Sequence, residues 1–203
     1  MLKNPIPQVT DPLQYRAIGI VNGKFTPHDN EHLNKGSITD NEGEKIETVV
    51  LGKALSILKK HIDLNKNHYW VVYPKNKNTQ NLHLQVAGVW DPFQFNDLPN
   101  DLPNNSLKIN FSKLLEEVDL KDNYFSVRGE LVFVNKSKKE IVIKICSTSK
   151  LKNLKNKNFK LSIKGELSLE LLNNFLSLDV NRDGNSLKLL NYEVIGKNLS
   201  KNN

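Results

Sequence analysis

The chain has 203 residues, of which 38% are hydrophobic and 25% charged, and its formal net charge is +7. This length suits one large domain or two domains of about 100 residues, with enough apolar side chains for a core. No apolar run approaches the roughly 18 to 20 residues of a membrane helix. The single cysteine, Cys146, excludes an internal disulfide and a cysteine-based zinc site. With an N-terminus that lacks a signal-peptide pattern, these features predict a cytoplasmic protein.

The first part of the chain predicts an extended lead-in at residues 1–12 and an α+β domain at residues 13–92. Tyr15 to Val21 reads as a strand, and the turn dipeptide Asn22-Gly23 after it favours a hairpin or a bulged bend. Gly36 to Val50 is a second extended stretch, which turn residues near its middle fold into a ribbon. The domain is either a degenerate barrel resembling an OB fold or an α+β sandwich.

The clearest helix in the sequence follows the ribbon, because apolar residues recur there at helical spacing and lysines occupy the opposite face. The apolar positions are Leu51, Ala54, Leu55, Leu58 and Ile62. Two dense strands are predicted after the helix. The first runs from His68 to Tyr73 and ends at Pro74, and the second runs from Leu82 to Trp90.

Four segments of this domain carry a family resemblance. They are Arg16-Ala17-Ile18-Gly19, Leu51-Gly52, Trp70-Val71-Val72-Tyr73-Pro74 and Leu82-His83-Leu84-Gln85-Val86. Together they resemble a family of cyanobacterial proteins of undescribed function. The resemblance covers mainly residues 13–92, and it implies a photosynthetic bacterial cytoplasm rather than a particular chemistry.

A segment rich in proline and asparagine, residues 93–106, is the predicted linker to a second domain at residues 107–198, and residues 199–203 form a tail. A short helix is expected near its start, from Phe111 to Leu120. Strands then follow in the order strand, strand, strand, helix, strand, strand, with the helix at Ser168 to Phe175 and the last strands around Asn181 to Asn185. This is the order of the five-stranded OB barrel, whose strands and loops bind oligonucleotides.

Positive charge is concentrated in this second domain. Ten lysines and one acid, Glu140, lie between Lys136 and Lys164. Lysine and arginine neutralise backbone phosphates, and aromatic rings stack on bases, so the pattern favours a polynucleotide ligand. A solvated face in a lysine-rich chain is the plainer interpretation. The predicted nucleic-acid contacts are Lys150, Lys152, Lys155, Lys157, Lys160, Arg128, Tyr124 and Phe159.

Two patterns typical of metal sites are incomplete. Asp179 to Asn185 resembles the opening of a calcium loop, but Leu190 stands where a bidentate carboxylate is required, so a hairpin turn at Asp183-Gly184 is favoured. His28 and His32 have helical ligand spacing without a third ligand. We therefore expect no metal and no cofactor. No nucleophile or phosphate-loop motif is present, so no catalytic residue is assigned.

The sequence thus predicts a β-rich α+β protein whose basic, OB-like C-terminal domain binds RNA or single-stranded DNA without catalysis. The alternative is an assembly or adaptor protein that uses its sheet edges and lysines to hold an acidic protein partner in a cyanobacterial cytoplasm. An enzyme is the minority hypothesis, because no acid and base are placed together by the sequence.

Overall fold

The computed structural model describes residues 4–29, 31–77, 81–91, 120–147 and 157–197. The strands within these residues form one continuous sheet that closes on itself twice and so makes two barrels. In the described part of the chain, no helix is long and apolar enough to cross a membrane. The predicted linker at 93–106 and the expected helix over 111–119 lie outside the described residues.

The N-terminal barrel contains five strands and a helix. Its strands pair in the order β1-β2-β3-β5-β4 and back to β1, and the β3–β5 pair is parallel. A helix between the third and fourth strands completes the OB topology, so the barrel alternative for this half is correct. The elements are β1 (Arg16–Pro27), β2 (Lys35–Thr39), β3 (Lys45–Val50), α1 (Gly52–His61), β4 (His68–Lys77) and β5 (Asn81–Trp90).

Two local predictions for this barrel are wrong, and both errors concern strand ends. Asn22-Gly23 makes no hairpin, because β1 continues through it, pairing with β4 up to Gly23 and with β2 from Lys24. Pro74 does not end β4, which runs on to Lys77. Since β1 pairs with β4 only as far as Val72, Pro74 lies where the strand is hydrogen-bonded along one edge, a position that tolerates the missing N–H.

The ribbon and the helix are confirmed. β2 and β3 meet at a turn in which Gly43 has a φ of +86° and the Asp40 carboxylate accepts bonds of 2.9 Å from the amides of Glu42 and Glu44. In α1, Ala54 and Leu58 are buried, as the helical spacing of the apolar residues predicts.

The C-terminal barrel repeats the topology with a much shorter connection before its fourth strand. Its strands pair in the order β6-β7-β8-β10-β9 and back to β6, with a parallel β8–β10 pair. This confirms the OB-like barrel predicted for the C-terminal half. The elements are β6 (Tyr124–Asn135), β7 (Glu140–Ser147), β8 (Lys157–Lys164), a 3-10 turn (Leu169–Leu171), β9 (Asn174–Asp183) and β10 (Ser186–Lys197).

The helix predicted at Ser168 to Phe175 is wrong. Only the single turn at Leu169–Leu171 forms, because Asn173 adopts a left-handed φ of +66° that ends it. The chain then enters β9, where Leu176, Leu178 and Val180 alternate into the core. The two final strands expected around Asn181 to Asn185 are β9 and β10, and the hairpin turn between them at Gly184 lies within that range.

The two barrels are joined along their first strands. Arg16 to Gly19 of β1 pairs antiparallel with Phe125 to Arg128 of β6. At one end of this pairing Gly19 lies directly against the Phe125 ring, where a Cβ would overlap the ring atoms. The Phe125 side chain is fully buried, so it has no room to retreat.

A buried ion pair makes a second connection between the barrels. The Arg182 guanidinium of β9 contacts the Asp40 carboxylate at the β2–β3 turn, and each side chain is 2% exposed. Arg182 also donates to the Asn123 side chain and to the Gly184 carbonyl, each at 2.8 Å. Burial alone would raise the pKa of Asp40, but the Arg182 guanidinium and the Glu44 and Glu42 amides outweigh it and hold that pKa below its ordinary value.

Replacing Gly19 with Ala is expected to lower the free energy of unfolding by about 1 to 3 kcal/mol, because the added methyl overpacks the junction against Phe125. Urea denaturation measures the change. Gly52→Ala is the matched control, since a Cβ there meets nothing. A Gly19→Ala protein as stable as its parent would contradict the close approach.

Replacing Asp40 with Asn is expected to cost about 3 to 5 kcal/mol at neutral pH, because it leaves the buried Arg182 cation unpaired. The lowered pKa of Asp40 means that its contribution is present above the pKa of an unfolded Asp, about 3.9, and is lost as the pH falls below that value through the folded pKa. Urea unfolding at a series of pH values should therefore show a shallower loss of stability on acidification for the variant than for the parent. Asp63→Asn, at an exposed pair with Lys66, is the control and should change the free energy of unfolding far less than Asp40→Asn.

Candidate nucleic-acid interface

A β-bulge in β6 turns one aromatic ring out of the C-terminal barrel. The register between β6 and β7 shifts between Leu131 and Phe133. Leu131 is fully buried, whereas Phe133 is 48% exposed. Regular alternation from Phe125 through Leu131 would place Phe133 on the inward face, but the extra residue at the bulge reverses the alternation.

Phe133 belongs to a row that crosses three strands on the outer surface. It pairs with Val142 of β7, and Val142 pairs with Ser162 of β8. Side chains at paired positions are neighbours about 5 Å apart, so lysines on either side of the row border it. We define the basic face as Phe133, Val142, Lys144, Lys160, Ser162 and Lys164.

Two of the three lysines of the basic face form no ion pair with a described acid, and the acid on the same face is Glu140, which lies opposite Lys164 in the register of β7 and β8 and accepts a hydrogen bond from the Ser162 hydroxyl. Lys144 is paired with Glu130, 3.1 Å away, and Lys139 of the β6–β7 turn is paired with Glu166, 2.6 Å away. Lys160 and Lys164 form no ion pair with any described acid, and the same holds for Lys136, Lys138 and Lys188 nearby. A ligand that meets this face therefore meets cations whose charge is available for binding.

A cleft of about 450 Å³ borders the basic face where the N-terminal barrel approaches it. Lys138, Ser162 and Lys164 line one side, and Asn76 and Asn81 of the β4–β5 pair line the other. The Asn76 side-chain oxygen accepts a bond of 2.9 Å from the Ser162 amide. The N-terminal barrel thus holds the edge of β8 in place.

The corresponding surface of the N-terminal barrel has a different character. Its outer β2 and β3 positions include Lys35 and Lys45, with Glu47 among them, and no described side chain of these two strands is aromatic. His28 approaches Glu47 at 3.6 Å. Charge and an exposed ring are therefore combined on the C-terminal barrel.

Some of the lysines predicted to contact nucleic acid lie outside the residues that the structure describes, and others lie within them. Lys150, Lys152 and Lys155 lie outside the described residues, and Lys157 begins β8. Lys160 is exposed on the basic face. The predicted contacts do not include Lys136, Lys138 and Lys139 of the β6–β7 turn, although these lysines are clustered in the sequence and this clustering indicates a basic surface.

The three predicted stacking residues are held by other groups. Phe159 carries the Lys75 ammonium over its ring, 3.0 Å from the ring centre. Tyr124 donates a bond of 2.6 Å to Asp179, and burial, reinforced by this carboxylate, raises the pKa of Tyr124 to about 12. Arg128 is 6% exposed and donates to Ser177 and to the Pro12 carbonyl. Their contact with nucleic acid stays a prediction.

The motifs typical of metal sites have other partners. Asp183 and Ser186 flank the two-residue turn between β9 and β10, which confirms the hairpin preferred over a calcium loop. His32 lies 2.8 Å from Asp29. Across the residues that the structure describes, no group of three His, Cys, Asp or Glu side chains is arranged to hold a metal ion.

Comparison with known families gives matches in both halves. Residues 17–97 match the model described as "PatR RNA-binding protein, N-terminal OB-fold domain". Residues 127–196 match that of "Cyanobacterial OB-fold-like RNA-binding domain, C-terminal". The resemblance expected mainly over residues 13–92 therefore extends to the second barrel, and the expectation of an undescribed function is corrected by these descriptions. No curated protein matches the chain.

Two solved structures align with the chain at low identity. A deletion mutant of the single-stranded DNA binding protein from Thermus aquaticus aligns over 94% of this chain and 99% of its own, with 10% identity and a TM-score of 0.41. A murine DNA binding protein bound with double-stranded DNA aligns over 91% and 100%, with 14% identity and a TM-score of 0.22.

Replacing Arg128 with Met is expected to lower the free energy of unfolding by about 1 to 3 kcal/mol, because it orphans the Pro12 carbonyl and the Ser177 hydroxyl. The melting temperature should fall accordingly. Lys160→Met is the control, since Lys160 is exposed and its loss should leave melting nearly unchanged. Equal melting of the two variants would show that the Arg128 hydrogen bonds contribute nothing to stability.

Proposed function

From the premise that the chain belongs to the cyanobacterial PatR family of RNA-binding proteins with an OB-fold domain in each half, we propose that it binds RNA or single-stranded DNA through the basic face of its C-terminal barrel. The observation that carries this site is the exposed Phe133 ring, which the bulge in β6 places on the same face as Lys160 and Lys164, two lysines of β8 that form no ion pair with a described acid. It binds without catalysis, as a protein that holds the strand.

The chemistry of the face fits a single strand better than a duplex. Phe133 offers a flat partner to an unstacked base, and stacking on one aromatic ring contributes about 1 to 3 kcal/mol. Lys160 and Lys164 both lie on β8, on the same side of the strand. Their ammonium groups can meet phosphates while the base lies on Phe133, and neither interaction selects a sequence.

The sequence-predicted lysines extend this site. Lys150, Lys152, Lys155 and Lys157 connect to or begin β8, the strand that carries Lys160. We propose that these four lysines add phosphate contacts next to Lys160, at the start of β8. Arg128, Tyr124 and Phe159 remain proposed contacts of the same site, although hydrogen bonds hold Arg128 and Tyr124 and the Lys75 ammonium lies over Phe159.

The domain boundaries, the cofactor requirement and the cellular setting belong to the same proposal. The two domains are residues 13–92 and 107–198, joined by the segment at 93–106. The protein works without a cofactor, and its setting is the cytoplasm of a cyanobacterium, which its single cysteine and the cyanobacterial family favour.

Replacing Phe133 with Ala is expected to weaken binding of a fluorescently labelled 15-nucleotide oligouridine by about fivefold or more, because a base loses its stacking partner. Lys160→Gln with Lys164→Gln should weaken binding and should also make the logarithm of the binding constant less steep against the logarithm of salt concentration, by about 0.7 for each phosphate that is no longer neutralised. Lys152→Gln, Lys155→Gln and Lys157→Gln should act in the same direction. Fluorescence anisotropy at several salt concentrations measures both quantities.

The control is Lys53→Gln with Lys59→Gln on the exposed side of α1, which removes the same charge from the other barrel. Parent protein that does not bind the oligouridine, or whose affinity does not change with salt, would contradict the proposal. Recovery of one stoichiometric acidic protein after nuclease treatment, with no bound nucleic acid, would favour the adaptor alternative instead.

A further inference from the structure

A second groove runs along the junction of the barrels. It has a volume of about 370 Å³. β4 of the N-terminal barrel forms one wall with Tyr73 and Lys75, and β7 and β8 of the C-terminal barrel form the other with Cys146 and Phe159. We call it the seam groove. It is absent from either barrel alone, because each contributes one wall.

The electrostatics of the seam groove favour an anion. Lys75 and Arg16 line it, and no Asp or Glu is among its lining residues. Lys75 makes no ion pair with a described acid, and its ammonium lies instead over the face of Phe159. Burial lowers the pKa of Lys75 to about 8, as expected for an ammonium that loses water without gaining a carboxylate. A negatively charged ligand would offset the free-energy cost of burying this ammonium without an acidic partner.

The groove also offers a flat surface. Tyr73 is 38% exposed, so part of its ring is open to a ligand in the groove. It follows Val72, the last residue of β4 that pairs with β1, so its ring lies beside the barrel junction. Phe159 is occupied by Lys75 at 3.0 Å and therefore positions the ammonium.

The seam groove opens beside the basic face along β7. Cys146 of the groove lies two residues beyond Lys144 on the same side of β7. Lys144 pairs with Lys160 of β8, whereas Phe159, next to Lys160 in the chain, lies on the opposite face of β8 and lines the groove. A strand bound at the basic face can therefore reach the groove by passing Cys146.

Resting on the proposed function, we propose that the seam groove binds one nucleotide of the same single-stranded RNA, with the base on Tyr73 and the phosphate on Lys75. The ligand then touches both barrels at once, and the binding site is longer than one barrel provides. Phe159 is a positioning residue that holds the Lys75 ammonium toward the phosphate.

The test compares two labelled oligouridines, of 5 and 15 nucleotides, by fluorescence anisotropy with the full chain. Tyr73→Ala should weaken binding of the longer oligouridine by about fivefold or more through loss of one stacked base. Lys75→Met should weaken it and should reduce the slope of the logarithm of the binding constant against the logarithm of salt by about 0.7. Tyr73→Ala should leave that slope unchanged, because it removes no charge. The shorter oligouridine, which the basic face can hold alone, should respond less to both.

Matched controls separate the site from general effects. Tyr192→Ala removes another exposed tyrosine and Lys53→Met another exposed lysine, and neither residue lines the groove. Lys75→Arg keeps the charge and should keep the salt slope. If Lys75→Met lowers the melting temperature, the groove is still tested by the affinity of Tyr73→Ala and by the salt slope of Lys75→Arg.

A second readout is the pKa of Lys75 itself, followed by NMR of its Cε group. A bound phosphate should raise it from about 8, and the rise should disappear with an uncharged ring compound such as uracil as the probe. Parent protein that binds the longer oligouridine while Tyr73→Ala and Lys75→Met bind equally well would overturn the seam groove and leave the proposed function standing. Parent protein that binds neither oligouridine would overturn both.

Discussion

The antiparallel pairing of β1 with β6 is the constraint on which the rest of the structure depends. It brings two closed barrels together through backbone hydrogen bonds along Arg16 to Gly19 and Phe125 to Arg128. Gly19 and Phe125 fit only because the glycine has no side chain. The pairing fixes where β4 meets β8, and so it sets Lys75 over Phe159 and Asn76 beside Ser162.

The Asp40–Arg182 pair complements the backbone pairing at the other side of the junction. A buried ion pair adds little net stability over an apolar contact, but it does not tolerate a misplaced partner. The hydrogen bonds from Arg182 to Asn123 and Gly184 give its other two nitrogens, Nε and Nη1, a partner each. We therefore expect this pair to specify the relative placement of the two barrels, and with it the spacing of the two walls of the seam groove, more than it strengthens their association.

The sequence predicts much of the fold because its strands alternate clearly. The β2–β3 ribbon, α1 and the barrel order of the C-terminal half follow from apolar spacing and turn residues. The Phe133 face could not be predicted, since Leu131 to Val134 is an unbroken apolar run that hides a one-residue shift. Lys75 lies far from Phe159 in the sequence, and only the pairing of the barrels brings the two together.

The junction has an approximate internal twofold symmetry. Each first strand uses its early residues to pair with the other barrel and its late residues to pair with its own second strand, β2 or β7. Gly23 and Gly129 occupy matching places, each pressed against a carbonyl of that second strand, Thr39 and Lys144. Because both halves lie in one chain, matching places can hold different side chains, and so the first barrel carries α1 while the second carries the exposed Phe133 ring on the same face as Lys144 and Lys160.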